Sequence, residues 1–146
     1  MTSFRFRLQR VLELRRTQLE IEQARHQRHL AAVAALDRAR VEIEASGIQA
    51  EVQVRQWSRV EGKDLGALEE FRRAVRKKQK DIGLRRAESS KAANAQLAVM
   101  LEAQRRCRLL ERLKERRLAE WRTAEDRDLE QLATESYLAR WTRERR

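Results

Sequence analysis

The sequence predicts an all-α protein, a long antiparallel two-helix coiled-coil hairpin with a C-terminal helical overhang. Three observations predict it. The 146 residues include no proline and only four glycines, so nearly the whole chain is helix-competent. Apolar residues recur at heptad spacing on both sides of a single glycine-bearing interruption. That interruption, "VEGKDLG" at Val60 to Gly66, divides the chain into unequal arms.

The expected organisation is one coiled-coil domain over 1–146, with helix 1 at about 4–60, the turn at about 60–66 and helix 2 at about 66–143. In the turn, two glycines flank Asp64, which can cap the following helix. Gly47 and Gly83 stand alone in helix-like sequence; each costs about 1 kcal/mol relative to alanine and marks a local weak point. The first arm, roughly 55 residues, would run about 80 Å, and the second, roughly 75 residues, about 110 Å. A core-filled globule is excluded by this pattern.

In the first arm Leu12, Leu19 and Val33 share one heptad position, and Leu8, Leu36, Ile43, Ala50 and Trp57 share its companion. Arg15, Glu22, His26, His29, Arg40 and Gly47 fall on the same two positions and bury little. In the second arm Leu68, Val75 and Ile82 repeat at seven, a small-residue zone surrounds Ala92 and Ala93, and Met100, Leu110, Leu113, Leu118 and Trp121 follow. Intrahelical pairs such as Glu13 with Arg16, Glu69 with Arg73 and Asp81 with Arg85 add a few tenths of a kcal/mol each.

A turn near Gly62 or Lys63 sets Phe4 opposite about Arg122, so everything after Thr123 overhangs. That overhang carries Leu129, Leu132, Tyr137, Leu138 and Trp141, with Tyr137 and Trp141 on one helical face. Apolar groups without an internal partner imply an external one.

Net charge is +11 with a pI near 11.0, which suits nucleic acid, acidic lipid or an acidic protein surface without choosing among them. Near the turn the charge is divided: Phe71 to Lys91 holds nine Lys or Arg against two Asp or Glu, and Val41 to Glu70 three against seven. The arms attract one another there, and positive charge is left on the second for an acidic partner. Cys107 has no second cysteine for a disulfide or a metal site, so a reducing, cytoplasmic setting is the plainer expectation. The longest apolar run, "LAAVAAL" at Leu30 to Leu36, is far short of the roughly 20 residues that span a bilayer, and the arginine-rich start is no signal peptide.

No enzyme is expected: there is no glycine-rich phosphate loop, no strand to mount one and no concave pocket for a small-molecule substrate. Glu22, His26 and His29 have a spacing that could hold zinc on one helical face, but no further ligand is near, and no metal or cofactor is assigned. Cys107 has no base to activate it and reads as a small seam residue.

The opening stretch "FRFRLQRVLELRR", Phe4 to Arg16, with its leading Phe, its Arg-Leu-Gln and its Leu-x-Leu-Arg, resembles the start of the FliJ family of the flagellar type III export apparatus. The stretch "LLERLKERRLAEWRTAEDRDLEQLATESYLAR", Leu109 to Arg140, is similar to the family's Lys-Glu-Arg-Arg segment and its acidic, alanine-containing ending. Thr134 stands before Glu135 where the family usually carries an Asp-Glu pair. The resemblance implies a non-enzymatic stalk, similar to the shaft of rotary ATPases, that binds the hexameric export ATPase, promotes its assembly and reaches the cytoplasmic domain of the export gate protein. Export chaperones are further implied partners. Localisation would be cytoplasmic, peripherally at the inner membrane of the flagellar base.

Carried onto this chain, the resemblance implies an ATPase contact through Phe4, Phe6, Leu8, Leu129, Leu132, Tyr137, Leu138 and Trp141, and a gate contact near the turn through Phe71, Val75, Lys78 and Ile82. Phe71, Val75 and Ile82 at that spacing serve equally as ordinary seam residues. The alternatives are the stalk protein of a virulence-type secretion system, with the same architecture, and a basic helical nucleic-acid binder. The last would lose affinity steeply with salt and have little need of an aromatic overhang.

Overall fold

The computed structural model describes residues 3–145; Met1, Thr2 and Arg146, which fall inside the expected 1–146 domain, lie outside the described residues. The fold is all-α. Two long helices, α1 (Gln9–Gln56) and α2 (Gly62–Glu144), pack against each other in antiparallel sense, and no strand occurs among the described residues.

The helix boundaries differ from the expected ones at both ends of α1. The chain enters α1 through a turn in which the Gln9 N–H donates to the Phe6 carbonyl at 3.1 Å, so Phe4 to Phe6 precede the helix instead of forming its first turn. α1 stops at Gln56, where the Trp57 N–H donates to the Val54 carbonyl at 3.3 Å. The connection is Trp57 to Glu61, and Gly62 and Gly66 belong to the first turns of α2.

The capping chemistry explains that shift. The Glu61 carbonyl accepts from the N–H groups of Asp64 and Leu65, at 3.1 and 3.3 Å, while the Asp64 carboxylate accepts from the Glu61 N–H at 2.9 Å. Asp64 therefore caps from inside the helix, as the reaching-back member of a capping box, and its negative charge sits in the first turn where the helix dipole favours it. No described residue, glycine included, has positive φ. The reversal needs no left-handed backbone, so the glycines do not define it.

Contacts divide the chain into two units. One spans Glu20–Leu101 and contains the connection. Its cross-helix partners run in antiparallel order: Gln96 donates to Glu22, Arg86 meets Asp37 at 2.5 Å, a Cβ on Gly47 would meet Val75, and Arg72 meets Glu51 at 3.0 Å. The other unit joins Met1–Leu19 to Glu102–Arg146, with Arg16 on Glu111 at 3.3 Å and the Phe4 and Trp121 rings 6.1 Å apart.

The seam on α1 follows the heptad pattern, polar positions included. Leu12, Arg15, Leu19, Glu22, His26, His29, Val33, Leu36, Ile43, Gly47 and Ala50 are all buried or half-buried. Arg40 is the exception inside the helix. It is exposed, and Asp37 and Ala39 are the half-buried residues on that turn, Asp37 engaged by Arg86. Leu8 and Trp57, expected in the seam, are exposed where the helix pair runs out.

Burial is thin throughout. Only Leu12, Ala93 and Cys107 are buried among the described residues, so packing stabilises this fold through many half-covered side chains. In the small-residue zone Ala93 is buried and Ala92 is exposed.

The ion pairs differ from the expected ones. Arg16 reaches across to Glu111 instead of pairing with Glu13, and Glu69 takes Arg72 and Arg76 instead of Arg73. Asp81 with Arg85 is not among the ion pairs of the described residues.

Candidate functional site: the terminal unit

The unit formed by the two chain ends begins with an alternation. Phe4 and Phe6 are half-buried and Arg5 and Arg7 exposed, the period of an extended segment. This strap and Leu8 face Leu113, Arg117 and Trp121 of α2 across an open cleft of about 590 Å³. The Phe4 and Trp121 rings are tilted by 53° with centroids 6.1 Å apart, within the range over which aromatic pairs attract. The cleft thus combines an aromatic wall with Arg5, Arg7 and Arg117, the last paired with Glu120 at 2.9 Å, and leaves Arg5 and Arg7 for an apolar segment that carries acidic residues.

Further in, Leu12 is fully buried and anchors α1 in this unit. Cys107 is buried as well, its thiol lying 3.7 Å from a Glu111 carboxylate oxygen that Arg16 also engages. Burial pushes the thiol pKa up, the Glu111 charge and hydrogen bond push the same way, and Arg16 opposes them. The thiol stays protonated at neutral pH, which makes Cys107 a packing residue and not a nucleophile.

Beyond Glu125, the last half-buried residue, α2 continues to Glu144 with every described side chain exposed. Leu129, Leu132, Tyr137, Leu138 and Trp141 all lie on that stretch; Tyr137 keeps 69% of its surface and Leu132 59%. The Arg145 guanidinium lies 3.9 Å from the Trp141 ring centroid, a cation–π contact that covers one ring face locally. The eight residues assigned to an ATPase contact therefore divide into a built cleft edge, Phe4, Phe6 and Leu8, and a bare helix.

The four residues assigned to a gate contact divide differently. Val75 and Ile82 are half-buried on the seam, Val75 against Gly47, and are not offered to a partner. Phe71, 40% exposed, and Lys78, exposed, lie seven residues apart beside that seam. Arg73, Lys77, Lys80 and Arg85 are likewise exposed, while Arg72, Arg76 and Arg86 are held by Glu51, Glu69 and Asp37. The Asp37 hydrogen bond, then its charge, raises the Arg86 pKa further above an already high value.

The Glu22, His26 and His29 spacing does not form a ligand set. Glu22 accepts from Gln96 and Arg25, and His26 Nδ1 is buried without a hydrogen-bond partner. No cluster of three or more His, Cys, Asp or Glu placed to hold a metal ion occurs among the described residues, and none of their helices is long and apolar enough to cross a membrane.

Reasoning from sequence missed Leu113 and Arg117 as cleft residues and the non-helical form of Phe4 to Phe6. The signal was present in the strict alternation "FRFR", which has a period of two and not 3.6. No protein-family model, curated protein or solved structure matches this chain.

Proposed function

We propose that this protein is a non-catalytic, central-stalk-like coiled coil of flagellar type III protein export, which binds the hexameric export ATPase, promotes its assembly and links it to the export gate. The observation that carries the proposal is the stretch of α2 beyond Glu125, which holds two aromatics and three leucines exposed beside the Phe4–Trp121 cleft. A helix otherwise so polar has no internal reason to carry them.

Binding to the assembled ring adds free energy to that form alone, so mass action promotes the hexamer without any catalytic residue on this chain. The gate contact falls to Phe71, Lys78 and the free basic residues around them, which suit an acidic surface. The FliJ resemblance of Phe4 to Arg16 and Leu109 to Arg140 supplies the identity of these partners, and with it a place at the cytoplasmic side of the inner membrane.

The test is ATP hydrolysis and sedimentation of the purified export ATPase of the same organism, with the full chain and with a chain ending at Glu125. The full chain stimulates hydrolysis and shifts the ATPase to the hexamer, and the shortened chain does neither. A full chain without effect on both overturns the proposal.

A further inference from the structure

The positive charge of this chain is unevenly placed. Residues 3–19 and 102–122, which lie in one unit, carry thirteen Lys or Arg against five Asp or Glu, a net +8 of the chain's +11. Three of those five acids are already engaged, Glu111 by Arg16, Glu102 by Arg106 and Glu120 by Arg117. Most of the surplus is therefore left without a counter-charge.

On α2 that surplus is ordered. Arg105, Arg108, Arg112 and Arg116 follow one another at three- and four-residue spacing, which at 3.6 residues per turn sets all four within roughly 80° of arc over about 16 Å of helix. All four are exposed, on the side of α2 away from the buried Cys107 and the half-buried Leu110 and Leu118. Among the described residues none of the four takes part in an ion pair, and Glu115 is the one acid beside the row without such a partner. The other basic row of α2, Arg73, Lys77, Lys80 and Lys91, is different. Glu70, Asp81 and Glu88 line one edge of it, and none of the three is ion-paired among the described residues.

The make-up of the arginine row selects its ligand. A protein interface centres on apolar or aromatic anchors with charge toward the rim, and a helix lying on a membrane centres apolar side chains in the same way. Here guanidinium groups hold the centre, and Leu109 is the only large apolar side chain among them. A polyphosphate needs no apolar anchor, because its affinity comes from phosphate contacts and the counterions they release. The planar guanidinium fork matches phosphate oxygens, and a nucleic-acid duplex presents about ten charges along a stretch as long as this row.

We propose that the face of α2 formed by Arg105, Arg108, Arg112 and Arg116 binds the phosphate backbone of duplex nucleic acid, without sequence preference. The row shares no residue with the contacts proposed above for the ATPase and the gate, so this activity does not rest on that reading.

Fluorescence anisotropy of a labelled DNA duplex of about 20 base pairs, titrated with the full chain in the absence of any ATPase, tests the site. Two duplexes of unrelated sequence bind alike, and the affinity falls about 100-fold between about 50 and 200 mM salt, as expected for about four phosphate contacts. Arg112→Gln lowers the slope of log affinity against log salt by about one. The quadruple variant Arg105→Gln/Arg108→Gln/Arg112→Gln/Arg116→Gln removes most of that slope and at least about tenfold of the affinity at low salt. Arg73→Gln/Lys77→Gln/Lys80→Gln/Lys91→Gln, which removes the same charge from the other row, keeps the slope. Unchanged helical circular dichroism shows that the variants remain folded.

No duplex binding at about 100 μM chain and about 50 mM salt overturns the proposal. So do equal losses in the two quadruple variants, which would make the effect one of net charge. Binding to vesicles containing phosphatidylglycerol without binding to the duplex overturns it as well.

Discussion

Gly47 on α1 stands so close to Val75 on α2 that a Cβ on the glycine would lie 3.4 Å from Val75 Cγ1 and 3.8 Å from Cγ2. The same test at Gly83 meets nothing within 4 Å. Two glycines that look alike in sequence therefore differ physically. Gly83→Ala recovers the full helix-propensity difference, about 1 kcal/mol of stability. Gly47→Ala gains less, since part of that difference goes into settling the new methyl against Val75. Equal gains in urea denaturation would show that the helices do not approach at Gly47.

The Cys107 thiol carries a pH signature. Its folded pKa is raised, first by burial and then by Glu111, above the ordinary value of about 8.5. A raised folded pKa means that the folded state holds the proton more tightly. The stabilisation is complete below about pH 8.5 and is lost as pH climbs through the folded value. Thermal denaturation from neutral to alkaline pH is expected to fall more steeply for the native chain than for Cys107→Ala. Parallel curves would mean that the thiol is not held as described.

Leu12 and Leu132 test the contrast between the packed and bare parts of the terminal unit. Leu12 is 0% exposed and Leu132 59%. Leu12→Ala costs about 2–5 kcal/mol, lost burial plus a cavity, while Leu132→Ala changes the stability of the monomer by no more than about 0.5 kcal/mol. Chemical denaturation at low protein concentration separates the two. A large loss at Leu132 would place an intramolecular contact on the exposed stretch.

At the start of α2, Asp64→Ala removes the acceptor for the Glu61 N–H and a favourable charge in the first turn. The expected loss is about 1 kcal/mol, with faster amide exchange confined to the first turns of α2. Uniform acceleration across both helices would indicate that this cap controls the whole fold.

The helices, their antiparallel pairing and most of the seam are legible in the sequence because one rule, the heptad, governs them all. It places even His26 and Gly47 on the inner face, though neither is a core residue by type. The exposed end of α2 is legible for the simpler reason that one arm is longer than the other. Side-chain choices are not legible at this level. Arg16 has Glu13 within reach on its own helix and takes Glu111 on the other, a preference set by where the partner helix stands. Val75 and Phe71 share a helical neighbourhood, yet the approach of Gly47 draws only Val75 inward. The strap at Phe4 to Phe6 was obscured because its two-residue alternation runs straight into the helical pattern of Leu8 to Leu14.

The cross-helix ion pairs are half-exposed to solvent, and each contributes only about 0.2–1 kcal/mol to stability. Their larger consequence is positional. A seven-residue repeat with so few large buried side chains tolerates sliding by one heptad, because each apolar layer meets another much like it. Sliding one way sets Arg16 against Gln104, Asp37 against Gln79 and Glu51 against Leu65; sliding the other way sets them against Leu118, Ala93 and Gln79. All three pairs are lost in either direction. Arg16–Glu111, Asp37–Arg86 and Glu51–Arg72 thus act as a vernier, selecting one alignment from a set that hydrophobic packing alone leaves nearly degenerate.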